Sequence, residues 1–394
     1  MRSKYDAVVI GAGPSGSMAA FEIASAGFSV LLLEKHAVPG LPLCCAEAVS
    51  RPALERLVST EKAWIAAEIN AVRVIAPSGE SVTVRHPGAG YILERTIFDP
   101  ALARRAVAAG GELLCNAIGM ELKKENGLFS AVKVALPDNS SSWVEARIFI
   151  ATDGLESRIA REAGFHNLIP LKDVESLLQY RIDGISIPSD TVEFYVGTAV
   201  APEGYIWVFP KSERAANVGI GIVTGGRRGE KASKLLDDFI SERFREGKMT
   251  GKYCGLTPKY QGKSMFRMGN LLVAGDASRA IDSLSGAGII CGMLSGRYAG
   301  LAAAEYLAGR TKKVDDIETL YPGRFLREKE EELNLYAKLR RVYTHLNDRD
   351  FGEIVRALEE YFSRNGTEGV NGGRLLAGIV RARPSLIRLV WHLL

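Results

Sequence analysis

Short apolar runs followed by helical patterns recur along the chain. Residues 6–10, DAVVI, lead into a glycine turn and a helical pattern through SMAAFEIASAG, and a second apolar run, SVLLLEK, follows at residues 29–35. The same order of strand, loop and helix occurs in RIFIATDGLESRIAREAG at 147–164 and in GNLLVAGDASRAIDSLSGAGIICGMLSGRYAG at 269–300. Buried strands that alternate with helices predict a parallel sheet with helices on its faces.

Two intervening regions have the composition and alternation of strands instead. Residues 71–86, AVRVIAPSGESVTVRH, predict a hairpin that turns at Pro77-Ser78-Gly79, and TVEFYVG, YIWVFP and ANVGIGIV, between residues 191 and 223, each predict a strand. Helical patterns follow at 229–247 and from residue 315 onward. We therefore expect a second sheet, interleaved in sequence with the first domain.

Composition narrows the class of protein. Of 394 residues, 47% are hydrophobic and 24% are charged, and the net charge of +4 gives a nucleic-acid partner no electrostatic support. No apolar run reaches the roughly 18 residues of a membrane span, and the N-terminal run leads into a glycine loop rather than a cleavage site. The cysteines have no repeated CxxC spacing, so we expect a cytoplasmic protein without a metal site; they are Cys44, Cys45, Cys115, Cys254 and Cys291.

The first glycine turn, GAGPSG at residues 11–16, has the spacing of a dinucleotide-binding loop. Gly11 permits a tight turn, Gly13 allows the backbone to approach a pyrophosphate, and Gly16 brings helix and strand close together. The loop, which includes Ser15, ends at a helix N-terminus, where amides and the helix dipole attract phosphates. Glu34 ends the second strand, where a carboxylate can accept ribose hydroxyls. The sequence therefore predicts a Rossmann-like domain that binds a dinucleotide.

The late strand–loop–helix pattern favours FAD over NAD. Asp276 follows a buried strand, where an aspartate can hold ribityl hydroxyls, and Gly286 and Gly288 precede a long helix whose N-terminus can face a flavin ring. Taken alone, this pattern would indicate only a second structural unit. Arg95 and Asp153 are further candidate FAD contacts, although an isolated arginine is more often a surface residue and an Asp-Gly pair is more often a turn.

Residues 201–211, APEGYIWVFPK, concentrate aromatic rings on one side of a predicted strand. Tyr205, Trp207 and Phe209 alternate with Ile206 and Val208, so an extended segment places the three rings on one face and the aliphatic side chains on the other. The pattern alone fits either a core strand that is aromatic or the wall of a substrate site.

Four segments in this order resemble the FAD superfamily that contains the aromatic hydroxylases: GAGPSG, ERTIFD, ATDG and VAGDA. Two stretches resemble the geranylgeranyl reductases within it. PEGYIWVFP is similar to that family's PxxYxWxFP signature at every fixed position, and PLCCAEAVS is similar to its Cys-Gly-Glu-Gly segment, with Cys45 and Glu47 in place but alanines at 46 and 48. The resemblance extends from residue 5 to about 310.

The resemblance implies a set of FAD contacts in this chain: Gly16, Lys35, Ala46, Glu47, Val49, Arg95, Asp276, Gly288 and Ile289. It also implies that Ala117, expected on the strand after the Arg95 helix, meets the adenine through its backbone. Ala46 and Ala48 replace the family's glycines, so a need for positive φ there would alter the path of the loop.

Members of that family reduce carbon–carbon double bonds of isoprenoid chains, and this activity would explain the aromatic face. An isolated alkene has no carbonyl to accept charge, so we expect protonation to a tertiary cation before hydride transfer from flavin N5. Aromatic rings stabilise a nearby cation by about 0.5–2 kcal/mol each and offer an apolar groove. Tyr205 and Trp207 suit both tasks, and Phe209 would contact the substrate.

Cys45 and Glu47 are the candidates to supply or relay the proton, because a carboxyl group in an apolar cleft has a raised pKa. Cys45 fits a buried packing role equally well. An FAD-dependent aromatic hydroxylase and a non-catalytic lipid-escort protein are the alternative functions. The predicted partners are an isoprenoid lipid and an electron donor, either NADPH, ferredoxin or another reductant, for which the sequence contains no recognisable separate site.

These patterns predict an α/β protein, α+β overall, with a Rossmann-like FAD-binding domain of the aromatic-hydroxylase type at 1–60, 95–175 and 255–310. A β-sheet substrate domain is expected at 61–94 and 176–254, and a helical region at 311–394. The tail from residue 372 onward is apolar and basic, with Arg374, Arg381, Arg383, Arg388 and Trp391. Such a segment suits a bilayer surface or docking on the protein's own core.

Overall fold

The computed structural model describes residues 1–165, 170, 173–223, 231–260, 265–311 and 313–366. Its strands are β1 (Ala7–Ile10), β2 (Val30–Leu33), β3 (Ala48–Ser50), β4 (Ile65–Ile75), β5 (Ser81–Leu93), β6 (Glu112–Leu114), β7 (Ile118–Glu125), β8 (Leu128–Ala135), β9 (Ser141–Glu145), β10 (Ile148–Ala151), β11 (Val174–Asp183), β12 (Thr191–Val196), β13 (Tyr205–Ser212), β14 (Ala215–Val223), β15 (Lys248–Pro258), β16 (Arg267–Met268) and β17 (Leu271–Val273). Its α-helices are α1 (Pro14–Ser25), α2 (Arg51–Leu57), α3 (Arg95–Ala108), α4 (Arg158–Glu162), α5 (Ala232–Arg243), α6 (Ile289–Leu307), α7 (Ile317–Leu320), α8 (Pro322–Tyr343) and α9 (Asp348–Asn365).

The chain divides into two compact units, and each is built from separated segments. The first comprises the described residues within 1–43, 95–169 and 258–337, and the second comprises those within 44–94, 170–257 and 338–394. Residues 44–60 cluster with the second unit, although their sequence position suggested the cofactor domain. The predicted C-terminal helical region is divided between the units. Its described residues up to 337 belong to the first unit, and those from 338 onward belong to the second. The functions assigned to the units stay predictions.

The first unit contains the predicted parallel sheet. Its strand order is β16-β17-β10-β1-β2-β6, and every neighbouring pair is parallel except β16 with β17. The runs AVVI, VLLL and IFIA are buried at every position. Continuous apolar strands of this kind form because a parallel sheet is covered on both faces. The Rossmann-like prediction is confirmed for this unit.

Helices α1 and α6 of the first unit pack closely because glycines of α6 face α1. A Cβ added at Gly296 would lie 2.0 Å from the Ser15 carbonyl oxygen, and one at Gly300 would lie 2.5 Å from that of Ala19. Backbones can therefore approach here only because side chains are absent. The small-residue helix predicted after Gly288 is confirmed, and its composition serves this contact.

The first unit also contains a three-stranded antiparallel sheet that the sequence did not predict. It has the order β7-β8-β9, and β8 pairs with both neighbours. Ala117 lies between β6 and β7 rather than on the strand after α3, which corrects its expected position. The alternation in β7 is weak because only one of its eight residues is buried, so little hydrophobic signal marked it.

The second unit contains an eight-stranded sheet in the order β15-β11-β14-β13-β12-β4-β5-β3. The predicted hairpin is confirmed and is longer than its sequence signal, since β4 and β5 pair from Ile75 with Ser81 back to Ile65 with Leu93. The predicted strands β12, β13 and β14 are also confirmed. β15 was not predicted; it follows α5 directly, where the helical pattern had been extended to residue 247.

Helix α9 packs against strands of the second unit. Its N-cap, Asn347, accepts a hydrogen bond from the Asp350 amide at 3.0 Å. Phe351 and Val355 of α9 are buried in one cluster with Val82 and Val196. Within the described residues, no helix combines the length and the hydrophobicity required to cross a bilayer. The basic tail after residue 372, and the membrane contact predicted for it, lie outside the described residues.

Candidate active site

The β1–α1 loop of the first unit contains three glycines with different surroundings. Gly13 leaves the backbone open, whereas Gly11 and Gly16 have no room for a side chain. Gly11 has φ +106°, and a Cβ there would lie 2.4 Å from the Thr152 carbonyl oxygen. A Cβ at Gly16 would lie 1.8 Å from the Gly11 carbonyl oxygen, whereas one at Gly13 would meet nothing within 4 Å. The loop is therefore tight on its protein side and open at Gly13, as a pyrophosphate cradle requires.

Two polar side chains border this loop. The Ser15 hydroxyl is buried and has no hydrogen-bond partner within the described residues. Glu34 Oε2 accepts the Ala12 amide at 3.0 Å, and Oε1 accepts the His36 amide at 3.0 Å. Glu34 therefore holds the loop in shape, and its contact with a ribose stays a prediction.

A second loop of the first unit brings together residues that are far apart in sequence. Asp276 follows β17, and burial raises the pKa of its carboxyl group while the Arg95 guanidinium opposes that rise. A Cβ at Gly288, the N-cap of α6, would lie 3.1 Å from Asp276 Oδ1. Arg95 also binds Asp99 through two hydrogen bonds of 3.0 and 2.5 Å. The unit thus brings Arg95, Asp276 and Gly288 near one another, and their contact with FAD stays a prediction.

The remaining predicted cofactor contacts of the first unit differ in setting. Asp153 Oδ2 accepts the Ile159 amide at 2.9 Å, while its buried Oδ1 has no partner within the described residues and burial raises the pKa of the carboxyl group. The Ala117 amide donates to the Glu34 carbonyl at 2.9 Å. Lys35 is exposed and pairs with Glu156 at 3.3 Å. Gly286 has φ +73°, and Ile289 is the first residue of α6.

These residues fit a dinucleotide cofactor. The open face at Gly13 leaves room for phosphate oxygens, and α1 begins there without a side-chain cap. Buried polar atoms without partners are costly in a folded protein, and Ser15 Oγ and Asp153 Oδ1 are two such atoms. The hydroxyl groups and phosphate oxygens of a dinucleotide are groups with which such atoms can form hydrogen bonds. The contacts of individual residues with FAD stay predictions.

The aromatic face predicted from residues 205–209 is present in the second unit. Trp207 and Phe209 are buried in one cluster with Tyr205 beside them, whereas Ile206 and Val208 belong to the cluster on the other face of the sheet. The Phe194 ring, from the neighbouring β12, forms T-shaped contacts with the rings of Tyr205 and Phe209 at centroid distances of 5.4 Å each. Four rings therefore line this face.

Two glycines of β14 make space for the indole. Trp207 pairs with Gly219 and Tyr205 pairs with Gly221 across the β13–β14 ladder. A Cβ at Gly219 would lie 2.2 Å from Trp207 Cζ2, and one at Gly221 would lie 3.7 Å from Cζ3. The alternating glycines in ANVGIGIV thus allow the Trp207 ring to lie flat on the neighbouring strand.

Hydrogen bonds connect the aromatic face to the segment with Cys45 and Glu47. Trp207 Nε1 donates to Gln179 Oε1 at 2.9 Å, and Gln179 Nε2 donates to the Cys45 carbonyl at 3.1 Å. The Glu47 amide donates to Cys45 Sγ at 3.2 Å, and none of the five cysteines forms a disulfide. Cys45, Glu47 and Trp207 are therefore neighbours in one network, with Ala46 and Ala48 packed against the aromatic cluster.

The surroundings of Glu47 correct two expectations. It was expected in an apolar cleft, but its Oε2 accepts hydrogen bonds from Lys211 Nζ at 2.7 Å and from Asn217 Nδ2 at 2.8 Å. The positive φ in this segment falls on Glu47 itself, at 72°, and neither Ala46 nor Ala48 has one. The alanines therefore do not alter the loop path through backbone strain, and Val49 continues the segment into β3, where it pairs with Tyr91.

Comparison with known proteins places the chain in a family. Residues 173–254 match the geranylgeranyl reductase catalytic domain, and residues 9–51 match an NAD(P)-binding Rossmann-like domain. A digeranylgeranylglycerophospholipid reductase of Methanocella arvoryzae is 33% identical over 98% of both chains. One from Methanoculleus marisnigri is 38% identical over 78% of both chains. The chain belongs to the geranylgeranyl reductase family. It is thus an FAD-dependent oxidoreductase that acts on carbon–carbon double bonds.

Solved structures agree with this family. A geranylgeranyl bacteriochlorophyll reductase-like protein from Thermoplasma acidophilum matches with a TM-score of 0.91 and 29% identity over all of both chains. A flavin-dependent brominase matches with a TM-score of 0.73 and 18% identity over 98% of this chain and 99% of the other, which shows a shared fold alone.

The candidate site also contains polar residues that the sequence patterns did not single out: Glu94, Gln179, Lys211 and Asn217. A signal existed for two of them. Lys211 continues the alternation of Tyr205, Trp207 and Phe209, so it should point toward their face, and Asn217 is a polar residue within the apolar run of β14. For Glu94 and Gln179, no local pattern distinguishes them from other polar residues.

Proposed function

We propose that the protein saturates the double bonds of the geranylgeranyl chains in a digeranylgeranylglycerophospholipid. The observation that carries this proposal is the network in which Trp207 is joined through Gln179 to the Cys45 carbonyl. It combines an apolar aromatic face, suited to an isoprenoid chain, with the groups that could donate a proton. The names of the curated relatives supply the lipid class.

Each part of the site has a distinct task in this reaction. When bound and reduced, FAD supplies the hydride. Tyr205 and Trp207 hold the isoprenoid chain and stabilise the tertiary cation formed by protonation, by about 0.5–2 kcal/mol for each ring. The Cys45–Glu47 segment supplies the proton. The Trp207 and Phe209 rings are buried, so this part of the site excludes water. Water would otherwise add to the cation.

The residues that hold FAD in this proposal are those of the first unit. The β1–α1 loop at Gly13 and Ser15 binds the pyrophosphate, Glu34 the ribose, and Asp276 the ribityl chain. The two electrons come from an external donor, either NADPH, ferredoxin or another reductant. We also propose that the protein works at a membrane surface, because its substrate is a membrane lipid.

The reaction is tested with protein that has been reduced chemically, so that the identity of the donor does not matter. Anaerobic incubation with digeranylgeranylglycerophospholipid should reoxidise the flavin and increase the lipid mass by two hydrogens for each double bond saturated. Geranylgeranyl diphosphate and a polyprenyl quinone serve as comparison substrates and should react more slowly. Absence of any mass gain in the phospholipid would reject the proposal, and oxygen-dependent hydroxylation would support the aromatic-hydroxylase alternative instead.

A further inference from the structure

Lys211 is an ammonium group buried among acceptors in the second unit. Its Nζ lies 2.7 Å from Glu47 Oε2, 2.6 Å from the Leu93 carbonyl oxygen and 2.9 Å from Glu94 Oε1. An ammonium has three N–H donors, so these three contacts use all of them. The side chains of Lys211 and Glu47 are each 1% exposed, whereas that of Glu94 is 35% exposed. The cluster therefore connects a solvent-accessible carboxylate to a buried one through a single lysine.

Stability does not explain this cluster well. Removing two charges from water costs more than their attraction usually returns, and apolar residues of similar volume are often at least as stable. Here the buried Glu47 carboxylate takes a second hydrogen bond from Asn217, so the site is built to hold a charge. The cluster also lies beside the segment where the proposed reaction needs an acid, since the Glu47 amide contacts Cys45 Sγ.

We propose that Glu94 and Lys211 form a proton path that replenishes the Cys45–Glu47 segment from solvent during double-bond reduction. This inference rests on the proposed function. Each saturated double bond consumes one proton and one hydride, so a buried acid must be reprotonated in every cycle. The distances from Glu94 to Lys211 and from Lys211 to Glu47 are those of charge-assisted hydrogen bonds, along which protons can transfer.

The alkene carbon takes a proton from the Cys45 thiol, whose S–H bond breaks as one C–H bond forms, and the resulting cation takes the hydride, which forms the second C–H bond. The Glu47 carboxylate takes a proton from the Lys211 ammonium and passes it to the Cys45 thiolate, and Lys211 takes one from Glu94, which hydronium from the solvent has protonated. The thiol is restored and the cluster returns to one cation and two carboxylates, so that each cycle uses one solvent proton and one hydride. Lys211 and Glu94 act through Glu47 and are therefore positioning residues rather than catalytic ones.

The test uses Glu94→Gln in the full chain with bound FAD. The glutamine oxygen can still accept from Lys211, but the side chain no longer titrates. Reduced protein is mixed anaerobically with digeranylgeranylglycerophospholipid, and flavin reoxidation is followed in a single turnover in H₂O and in D₂O. We expect the rate to fall by ~10-fold, because water replaces the relay only partly, and the solvent isotope effect to rise. FAD content and melting temperature should match those of the unmodified protein.

Glu80→Gln is the matched control. Glu80 immediately precedes β5 and Glu94 immediately follows it, and Glu80 also pairs with a cation, Arg356. This variant should keep both the rate and the isotope effect. Lys211→Met combined with Glu47→Gln removes both buried charges together, so that neither is left unpaired, and should slow the reaction by ~100-fold.

The outcomes separate the inference from the function on which it rests. If the unmodified protein fails to reduce the lipid, the proposed function is wrong. If it reduces the lipid and Glu94→Gln matches it in rate and isotope effect, the proton path is wrong and the function stands. A slower Glu94→Gln reaction with an unchanged isotope effect would assign the cluster to holding Glu47 in its backbone conformation, which also overturns the path.

Discussion

At the scale of the residue, Cys45 has two possible tasks that the structure makes separable. Its Sγ accepts the Glu47 amide at 3.2 Å, a contact that a serine hydroxyl can also make, whereas thiols as a class give up a proton far more readily than aliphatic hydroxyls do. We expect Cys45→Ala to lower the rate of double-bond reduction by ~100-fold without changing FAD content.

Cys45→Ser distinguishes the two tasks in the same assay. We expect it to remain as slow as Cys45→Ala, because we assign the proton to the thiol. Recovery in the serine variant would show that Cys45 only holds the Glu47 amide, and equal activity of Cys45→Ala and the unmodified protein would remove Cys45 from the mechanism.

At the scale of the element, the position of the Trp207 ring of β13 over the neighbouring strand β14 depends on glycine. A methyl group at Gly219 would overlap Trp207, whose Cζ2 atom lies 2.2 Å from the position of the added Cβ. We expect Gly219→Ala to displace the indole, to destabilise the protein by about 1–3 kcal/mol, and to reduce turnover of the isoprenoid more than FAD binding. Denaturant unfolding and lipid turnover measure the two effects.

Gly221→Ala on the same strand is the control for this change. Its added methyl would meet Leu177 Cδ2 at 3.0 Å, and that is the end of a flexible side chain that can move. It should therefore cost less stability and keep Trp207 in place. Equal effects of the two substitutions would show that the Trp207–Gly219 contact has no special role.

At the scale of the whole molecule, we propose that the basic tail, which lies outside the described residues, mediates contact with a membrane. The four arginines of the tail can each contribute about 1 kcal/mol near an anionic surface. We expect a chain that ends at Gly372 to float less with anionic liposomes than the full chain does, and high salt to reduce flotation of the full chain. Replacing Arg374, Arg381, Arg383 and Arg388 with glutamine is the matched control for charge; unchanged flotation of the truncated chain would reject the tail as an anchor.

Much of the fold could be predicted from the sequence because the patterns that indicate it are local. The glycine loop at Gly11, the hairpin turn at Gly79 and the alternation around Trp207 each report backbone geometry within a few residues. Strands β7, β9 and β15 were missed because most of their residues are exposed or half-buried, so that their apolar periodicity is weak. Residues 44–60, predicted with the cofactor domain, cluster with the second unit, and the chain passes from one unit to the other within a loop after Leu43.

The sequence by itself determined the parallel sheet, the second sheet, the dinucleotide loop and the face of β13 that bears the aromatic rings. Each of these follows from the hydrophobic periodicity or the backbone freedom of neighbouring residues. Only the tertiary structure decided that Glu47 faces Lys211, a partner 164 positions away, and that Glu94 completes the cluster. Such a pairing depends on which strands meet and in which register, and those are set by contacts between distant segments that no local pattern encodes.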